Sequence, residues 1–290
     1  MIARLICLLL VALALPDAAS AEIPATVYFA SGDGRTEIVG YLFSPAGAGP
    51  HPALVMLHGR AGPYSANVSA DCTLVAPAAN SPCSAASLSK RHAMWGEYWA
   101  DRGYLALLVD SFGPRGKAHG FGRFTHGDAD RDDVNEKTVR PLDAEGALAY
   151  LRRRRDVVAA SIFLQGWSNG GSTLLNVIYR QGVQTTGFRA ALAFYPGCGE
   201  EALLAPTIAT TVPVTMFLGS DDEEVSPVIC QHVAERSRRA GSPIDVVLYE
   251  GATHDFDDPG ASRQSIPANR AASGDALQRA IGLIQSRRGN

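Results

Sequence analysis

The sequence predicts an α/β fold: a mostly parallel sheet of about seven to eight strands, covered by helices on both faces. Three observations lead there. Short, nearly all-apolar runs recur along the chain, as strands buried on both faces require. Amphipathic segments of helical period separate them. One apolar run ends in a glycine-flanked serine that leads straight into a helical pattern. Strand–helix alternation of this kind gives a parallel sheet with a helical layer on each side.

Residues 25–31 and 37–43 read as a hairpin around Ser31-Gly32-Asp33-Gly34, which has the turn chemistry hairpins prefer. The runs at 53–57 (ALVML), 105–109, 161–164, 190–194, 214–218 and 245–249 read as buried strands. Helical patterns fall at 89–102, 139–153, 170–180, 227–240 and 272–286. In the second, Leu142, Ala147, Leu148 and Leu151 lie largely on one face, and Asp143 sits in the first turns, where negative charge is favoured. The segments 59–87 and 111–135 are too long to be mere connections. Each follows the carboxyl end of a strand, where open α/β sheets bind ligands.

With 290 residues, 46% hydrophobic and 19% charged, the chain is neither a multi-span membrane protein nor a disordered one. No linker, change of composition or internal repeat divides it. A formal net charge of -3 argues against nucleic acid as a partner, since phosphate binding needs clustered Lys and Arg. The one basic run, Arg152 to Arg155, falls at the end of a helical pattern and complements the helix dipole. Nothing in the sequence sets an oligomeric state.

The first 21 residues read as a signal peptide. Arg4 supplies a positive start, LICLLLVALAL an apolar core, and Ala19-Ser20-Ala21 a small-x-small cleavage site. The apolar stretch is about half the ~20 residues a spanning helix needs, so no stable membrane span is expected; an uncleaved anchor is the alternative. Cleavage after Ala21 leaves one domain at 22–290 in the periplasm or outside the cell. Export leaves Cys72, Cys83, Cys198 and Cys230, an even number in an oxidising compartment. Cys72 and Cys83 flank a loop that a local bridge would staple. Cys198 and Cys230 follow two consecutive strands whose ends lie near each other in a parallel sheet. The expected pairs are therefore Cys72–Cys83 and Cys198–Cys230. No pair has the short spacing of a zinc site.

The chemistry centres on residues 161–175, SIFLQGWSNGGSTLL. Gly166-Trp167-Ser168-Asn169-Gly170 fits G-x-S-x-G, with a strand before it and a helix after it. A serine on that sharp turn projects at the top of the sheet as a nucleophile, and the glycines let neighbouring backbone pass. Its partners are expected after later strands, in the order acid, then histidine. Gly219-Ser220-Asp221-Asp222-Glu223-Glu224 offers four acids, of which one can orient the base. Glu250-Gly251-Ala252-Thr253-His254 offers the base, His254. The oxyanion donors are expected to be the N–H of Asn169, next to the nucleophile, and the N–H of Arg60 in the loop Leu57-His58-Gly59-Arg60-Ala61-Gly62. His58 reads as a residue that shapes its loop. Such a site needs no cofactor and no metal. The polar loop containing His119, His126, Asp128, Asp130, Asp132 and Asp133 lacks ligand spacing on a regular element and reads as solvated.

The segments LHGRAG, YWADRGYLALLVDSFGPRG, QGWSNGG, FYPGCG, FLGSDDEEVSP and YEGATHDFD fall in order over residues 52–259. Together they resemble the dienelactone hydrolase family of α/β-hydrolases. The resemblance implies the α/β-hydrolase fold and an ester or lactone hydrolase with a small-molecule substrate. It selects Asp222 as the acid, three after Gly219 and three before Val225. It matches His254 through the stretch Gly251, His254, Phe256, and places the second oxyanion donor at Arg60.

The departures concern the substrate. The best-known members use a cysteine nucleophile with a glutamate on the early loop, whereas this chain has Ser168 and Gly59. Two arginines hold the substrate carboxylate in those enzymes. Arg115 falls near one of these places, and Asp258 stands where the other would be. Arg115 and Trp167, beside the nucleophile, are the candidate substrate contacts. An acid at 258 would repel an anionic lactone, so the triad carries over better than dienelactone itself. A peptidase or polymeric-ester hydrolase with the same triad is an alternative, as is a binding protein on the same scaffold.

Overall fold

The computed structural model describes residues 23–184 and 187–287; the signal peptide expected at 1–21 lies outside them. Eight strands form one sheet: β1 (Ala25–Ala30), β2 (Glu37–Phe43), β3 (His51–Leu57), β4 (Leu105–Asp110), β5 (Val157–Trp167), β6 (Ala191–Phe194), β7 (Val214–Gly219) and β8 (Ile244–Tyr249). Their order is β1-β2-β4-β3-β5-β6-β7-β8. β2 is antiparallel to both of its neighbours, and every other pairing is parallel. This is the mostly parallel α/β-hydrolase architecture the sequence predicts.

Among the described residues there are six helices: α1 (Lys90–Ala100), α2 (Arg140–Arg152), α3 (Asn169–Gln181), α4 (Pro227–Arg239) and α6 (Pro267–Gln285) flank the sheet, and the short α5 (Ala261–Gln264) packs against α6. The period-two alternation of the strands builds a core on each face. Ala53, Val55 and Leu57 of β3 join Leu105, Leu107 and Val109 of β4 on one side. Leu54 and Met56, with Ala106 and Leu108, face the other. α1 buries His92, Trp95, Gly96 and Trp99, the i, i+3, i+4, i+7 stripe of an amphipathic helix, and the Ser89 hydroxyl caps it by accepting from the His92 N–H.

The elements fall where the sequence places them, with three differences. β5 starts at Val157, four residues before the predicted run, because Val158, Ala159 and Ala160 are half-buried or exposed and break the buried apolar pattern. α6 begins at Pro267, a residue whose fixed φ suits the first helical position. The short helix α5 carries no buried residue and so leaves no periodic signal. The two long segments hold only short 3-10 turns (Ala85–Ser87, Gly113–Arg115 and Ala129–Val134). Both expected disulfides are present: Cys72–Cys83 staples the first long segment, and Cys198–Cys230 ties the loop after β6 to α4.

The register decides what meets at the top of the sheet. Leu57 pairs with Val109 and Gly166, Trp167 with Phe194, Phe194 with Phe217, and Gly219 with Tyr249. The carboxyl ends of β3, β5, β6, β7 and β8 therefore lie side by side along one edge. The loops that follow these strands carry the candidate chemistry.

Candidate active site

Ser168 sits at the junction of β5 and α3 with φ 51° and ψ -117°. A non-glycine residue at positive φ is strained, and such strain persists only where the surroundings fix it. Here the Ser168 N–H donates to the Phe194 carbonyl at 2.9 Å, and the Ser172 N–H donates to the Ser168 carbonyl at 2.9 Å. The flanking glycines make the turn possible. A Cβ at Gly166 would lie 2.3 Å from the Gly170 carbonyl oxygen, and one at Gly170 would lie 2.1 Å from the Leu57 oxygen. The loop after β3 thus rests directly on the elbow. Ser168 is 8% exposed, and its hydroxyl makes no hydrogen bond among the described residues.

His254 and Asp222 come together because the loops after β7 and β8 are sewn to each other. The Ser220 N–H donates to the Tyr249 carbonyl, the Asp221 N–H to the Ala252 carbonyl, and the Gly251 N–H to the Ser220 hydroxyl. Asp222 Oδ1 accepts from the N–H groups of Glu224 and Val225, both at 2.9 Å. That leaves Oδ2 for His254 Nδ1 at 2.8 Å. Asp221 points away, and its partner is the Ser220 hydroxyl. The Tyr195 ring packs against the His254 imidazole, with centroids 4.6 Å apart. Burial disfavours the charged imidazole, but the Asp222 hydrogen bond and the charges of Asp255, Asp222 and Glu224 outweigh it. His254 is therefore held above its ordinary pKa.

The remaining acids of the Asp221–Glu224 run have separate tasks. Glu223 accepts from the His254 N–H at 3.0 Å and from Arg263 at 2.9 Å. Glu224 takes both arms of Arg60, at 3.0 and 2.9 Å, and Arg123 Nε at 2.7 Å. Its Oε2 stands 3.8 Å from His254 Nε2. The Arg60 side chain is thus drawn to Glu224, while its backbone N–H and that of Asn169 are taken by no acceptor among the described residues. Two free amides on adjoining loops can receive an oxyanion.

Behind the elbow lies a buried hub that the sequence does not announce. The Asp257 carboxylate is fully buried and accepts from Trp95 Nε1 at 2.7 Å, Trp167 Nε1 at 2.8 Å and the Tyr195 hydroxyl. Arg91 donates to Tyr195 at 2.7 Å and pairs with Asp255. Burial pushes the Asp257 carboxyl above the usual carboxylate range, against the pull of Arg91 and its donors. Its members come from helix α1 (Trp95), the end of β5 (Trp167) and the loops after β6 (Tyr195) and β8 (Asp257), segments far apart in the chain that no local pattern links.

Two candidate substrate contacts are corrected. Trp167 is fully buried in the aromatic layer, with its N–H committed to Asp257, so it supports the elbow from behind. Arg115 spends both arms on the buried carboxylate of Asp143, at 2.8 and 2.9 Å, and a third contact on the Ser111 carbonyl. It has no free fork to offer a substrate carboxylate. His58 is buried, with Nδ1 on the Gly59 carbonyl, and burial holds it well below its ordinary pKa. That is a loop-shaping position.

Ligand atoms of Glu224, His254 and Asp255 lie within 4.8 Å of one another and could face a cation. Both carboxylates are already paired with arginines, and His254 is paired with Asp222. The polar residues of the 119–133 loop form no such cluster among the described residues.

The profile of the dienelactone hydrolase family matches residues 88–287, well over half of the chain. The chain belongs to the dienelactone hydrolase family. As a dienelactone hydrolase family member it is a carboxylic ester hydrolase. No curated protein sequence matches it significantly. Among solved structures, the dienelactone hydrolase-like promiscuous phosphotriesterase P91 from metagenomic libraries superposes with TM-score 0.66 at 19% identity, over 92% of this chain and 100% of that one. Propionate-bound esterase 2 of Thermogutta terrifontis superposes with TM-score 0.60 at 18% identity, over 94% of this chain and 97% of that one. At such identities the likeness is one of fold. Among the described residues, no helix is long and apolar enough to cross a membrane.

Proposed function

We propose that this dienelactone hydrolase family member cleaves a small carboxylic ester or lactone through an acyl-enzyme on Ser168. The observation that carries the reading is the Asp222–His254 hydrogen bond of 2.8 Å, formed on the edge of the sheet where Ser168 is held at positive φ. Ser168 Oγ attacks the carbonyl carbon while His254 Nε2 takes its proton. Asp222 holds the Nδ1–H tautomer and balances the imidazolium. The carbonyl oxygen, now an oxyanion, accepts from the N–H groups of Asn169 and Arg60. Collapse expels the alkoxide, which takes the proton back from His254. A water then gives its proton to His254 and attacks the acyl carbon, and Ser168 leaves with that proton. Ser168 Oγ makes no hydrogen bond to His254 in the free protein; catalytic hydrogen bonds often tighten only in the substrate complex.

We also infer that the protein is exported, with residues 1–21 as a cleaved signal peptide and 22–290 as one domain in the periplasm or medium. The two disulfides support this, since such bonds persist in oxidising compartments. Labelling purified protein with a fluorophosphonate probe and mapping the adduct tests the nucleophile. The reading expects one adduct, on Ser168, that is lost in Ser168→Ala and strongly slowed in His254→Ala. A folded, oxidised sample that takes up no probe contradicts it and favours a binding protein on the hydrolase scaffold.

A further inference from the structure

Arg140 is fully buried although its guanidinium carries a full positive charge. Buried guanidinium groups are ordinarily neutralised by a carboxylate, because an unpaired charge in the interior is costly. Arg140 has none: among the described residues no carboxylate oxygen lies within 4.0 Å of it. The two nearby acids are engaged elsewhere. Asp143 is held by both arms of Arg115, and Glu136 by Arg131 and His126. Its location adds to the cost, since Arg140 is the first residue of α2, where the helix dipole disfavours a cation. Burial lowers its pKa to about 10, with Glu136 and Asp143 opposing the fall and Arg131 and Arg115 adding to it, so the group stays charged at neutral pH.

What Arg140 does hold is specific. Nη1 donates to the Asn169 side-chain oxygen, on the elbow. Nη2 donates to the His58 carbonyl at 2.7 Å, in the loop that carries Arg60 two residues later. The guanidinium lies 4.9 Å over the Phe112 ring, which fixes its plane. One rigid fork therefore spans the two chain segments whose amides form the oxyanion site, and its charge faces them from the protein side.

We propose that Arg140 is a positioning residue of the oxyanion site. Its two arms hold Asn169 and the β3 loop at one spacing, and its unneutralised charge favours the anion that forms between the two amides. The ground-state ester is neutral and gains little from that field, whereas the tetrahedral intermediate gains from both effects. This inference rests on the acyl-enzyme reading above.

The test compares wild type with Arg140→Lys and Arg140→Met. It measures thermal unfolding, kcat and KM on a neutral p-nitrophenyl ester, and inhibition by an alkyl boronic acid, which forms a tetrahedral anionic adduct with an active serine. Arg140→Met is expected to lower kcat roughly 10- to 100-fold with KM within about two-fold, and to weaken the boronic acid by a similar factor. Arg140→Lys keeps the charge and loses the second arm, so it should fall between the two. If Arg140→Met does not fold, Arg140→Lys carries the comparison; if neither folds, Asn169→Leu removes the same contact from the elbow side with the same expected pattern. Folded variants with wild-type kcat and boronic acid affinity, or with a raised KM alone, overturn the inference while leaving the nucleophile intact. A wild-type enzyme that binds no boronic acid and hydrolyses no ester overturns the acyl-enzyme reading and this inference with it.

Discussion

Glu224 places a carboxylate oxygen 3.8 Å from Nε2 of His254, the nitrogen that faces the proton to be moved, while Asp222 holds Nδ1 on the other side of the ring. The imidazole thus stands between two acids. Glu224 is kept there by Arg60 and Arg123, so its charge is partly balanced, yet it still favours the protonated ring.

The pH profile should show this. In the proposed mechanism activity requires neutral His254, and the pKa of that ring is raised, so it stays protonated and inactive up to a higher pH than an ordinary imidazole near 6.5 would. The acid limb of kcat/KM is expected above that value. Glu224→Gln removes one of the raising charges and should move the limb to lower pH. A limb that stays put in Glu224→Gln would show that the carboxylate does not act on the ring.

Gly170→Ala should damage the site although it adds a single methyl group. Its Cβ would lie 2.1 Å from the Leu57 carbonyl oxygen and 2.5 Å from that of His58, both backbone atoms with no room to retreat. The β3 loop would have to lift off the elbow and separate the two oxyanion amides. The expected result is a loss of kcat of about 100-fold or more together with a lower Tm. Near-normal turnover in the variant would mean that the loop is not held where the contact places it.

Asp257→Leu leaves Trp95, Trp167 and Tyr195 donating to nothing in a buried site. A loss of roughly 3–5 kcal/mol is expected from chemical denaturation, as for a broken buried polar cluster. Asp257→Asn keeps one acceptor and should lose less. Because Trp167 precedes Ser168 and Tyr195 packs on His254, both variants should also lower kcat. Unchanged stability in Asp257→Leu would remove the hub from the account.

The Cys198–Cys230 bridge closes a separation of 32 residues and anchors the loop after β6 to α4. Replacing both cysteines with serine should cost about 2–4 kcal/mol by the loop-closure argument, read as a lower midpoint in a denaturant titration. An identical midpoint with and without reductant in wild type would show that the bridge contributes nothing.

Much of this arrangement is legible in the sequence because it is local or ordered along the chain. The apolar runs fix the strands, the G-x-S-x-G turn fixes the elbow, and the order of acid and histidine after later strands leads to Asp222 and His254. What is not legible depends on packing between distant segments. Trp167 looks like a substrate contact when read beside Ser168, but the strand's alternation turns it into the aromatic layer, where Asp257, 90 residues away, accepts its N–H. Arg115 looks free until α2 brings Asp143 against it. Arg140 carries no motif, and its fork matters only once α2 reaches both His58 and Asn169. The acidic run 221–224 shows the limit well: four similar residues have four environments, set by which loop each one meets.

The most direct test of the central claim is the turnover of Ser168→Ala. With folding verified by an unchanged thermal transition, kcat on a p-nitrophenyl ester is expected to fall roughly 10³-fold or more, and the acyl adduct expected by intact mass in wild type is expected to be absent. A folded Ser168→Ala protein that retains wild-type turnover would contradict it, and would place the nucleophile elsewhere.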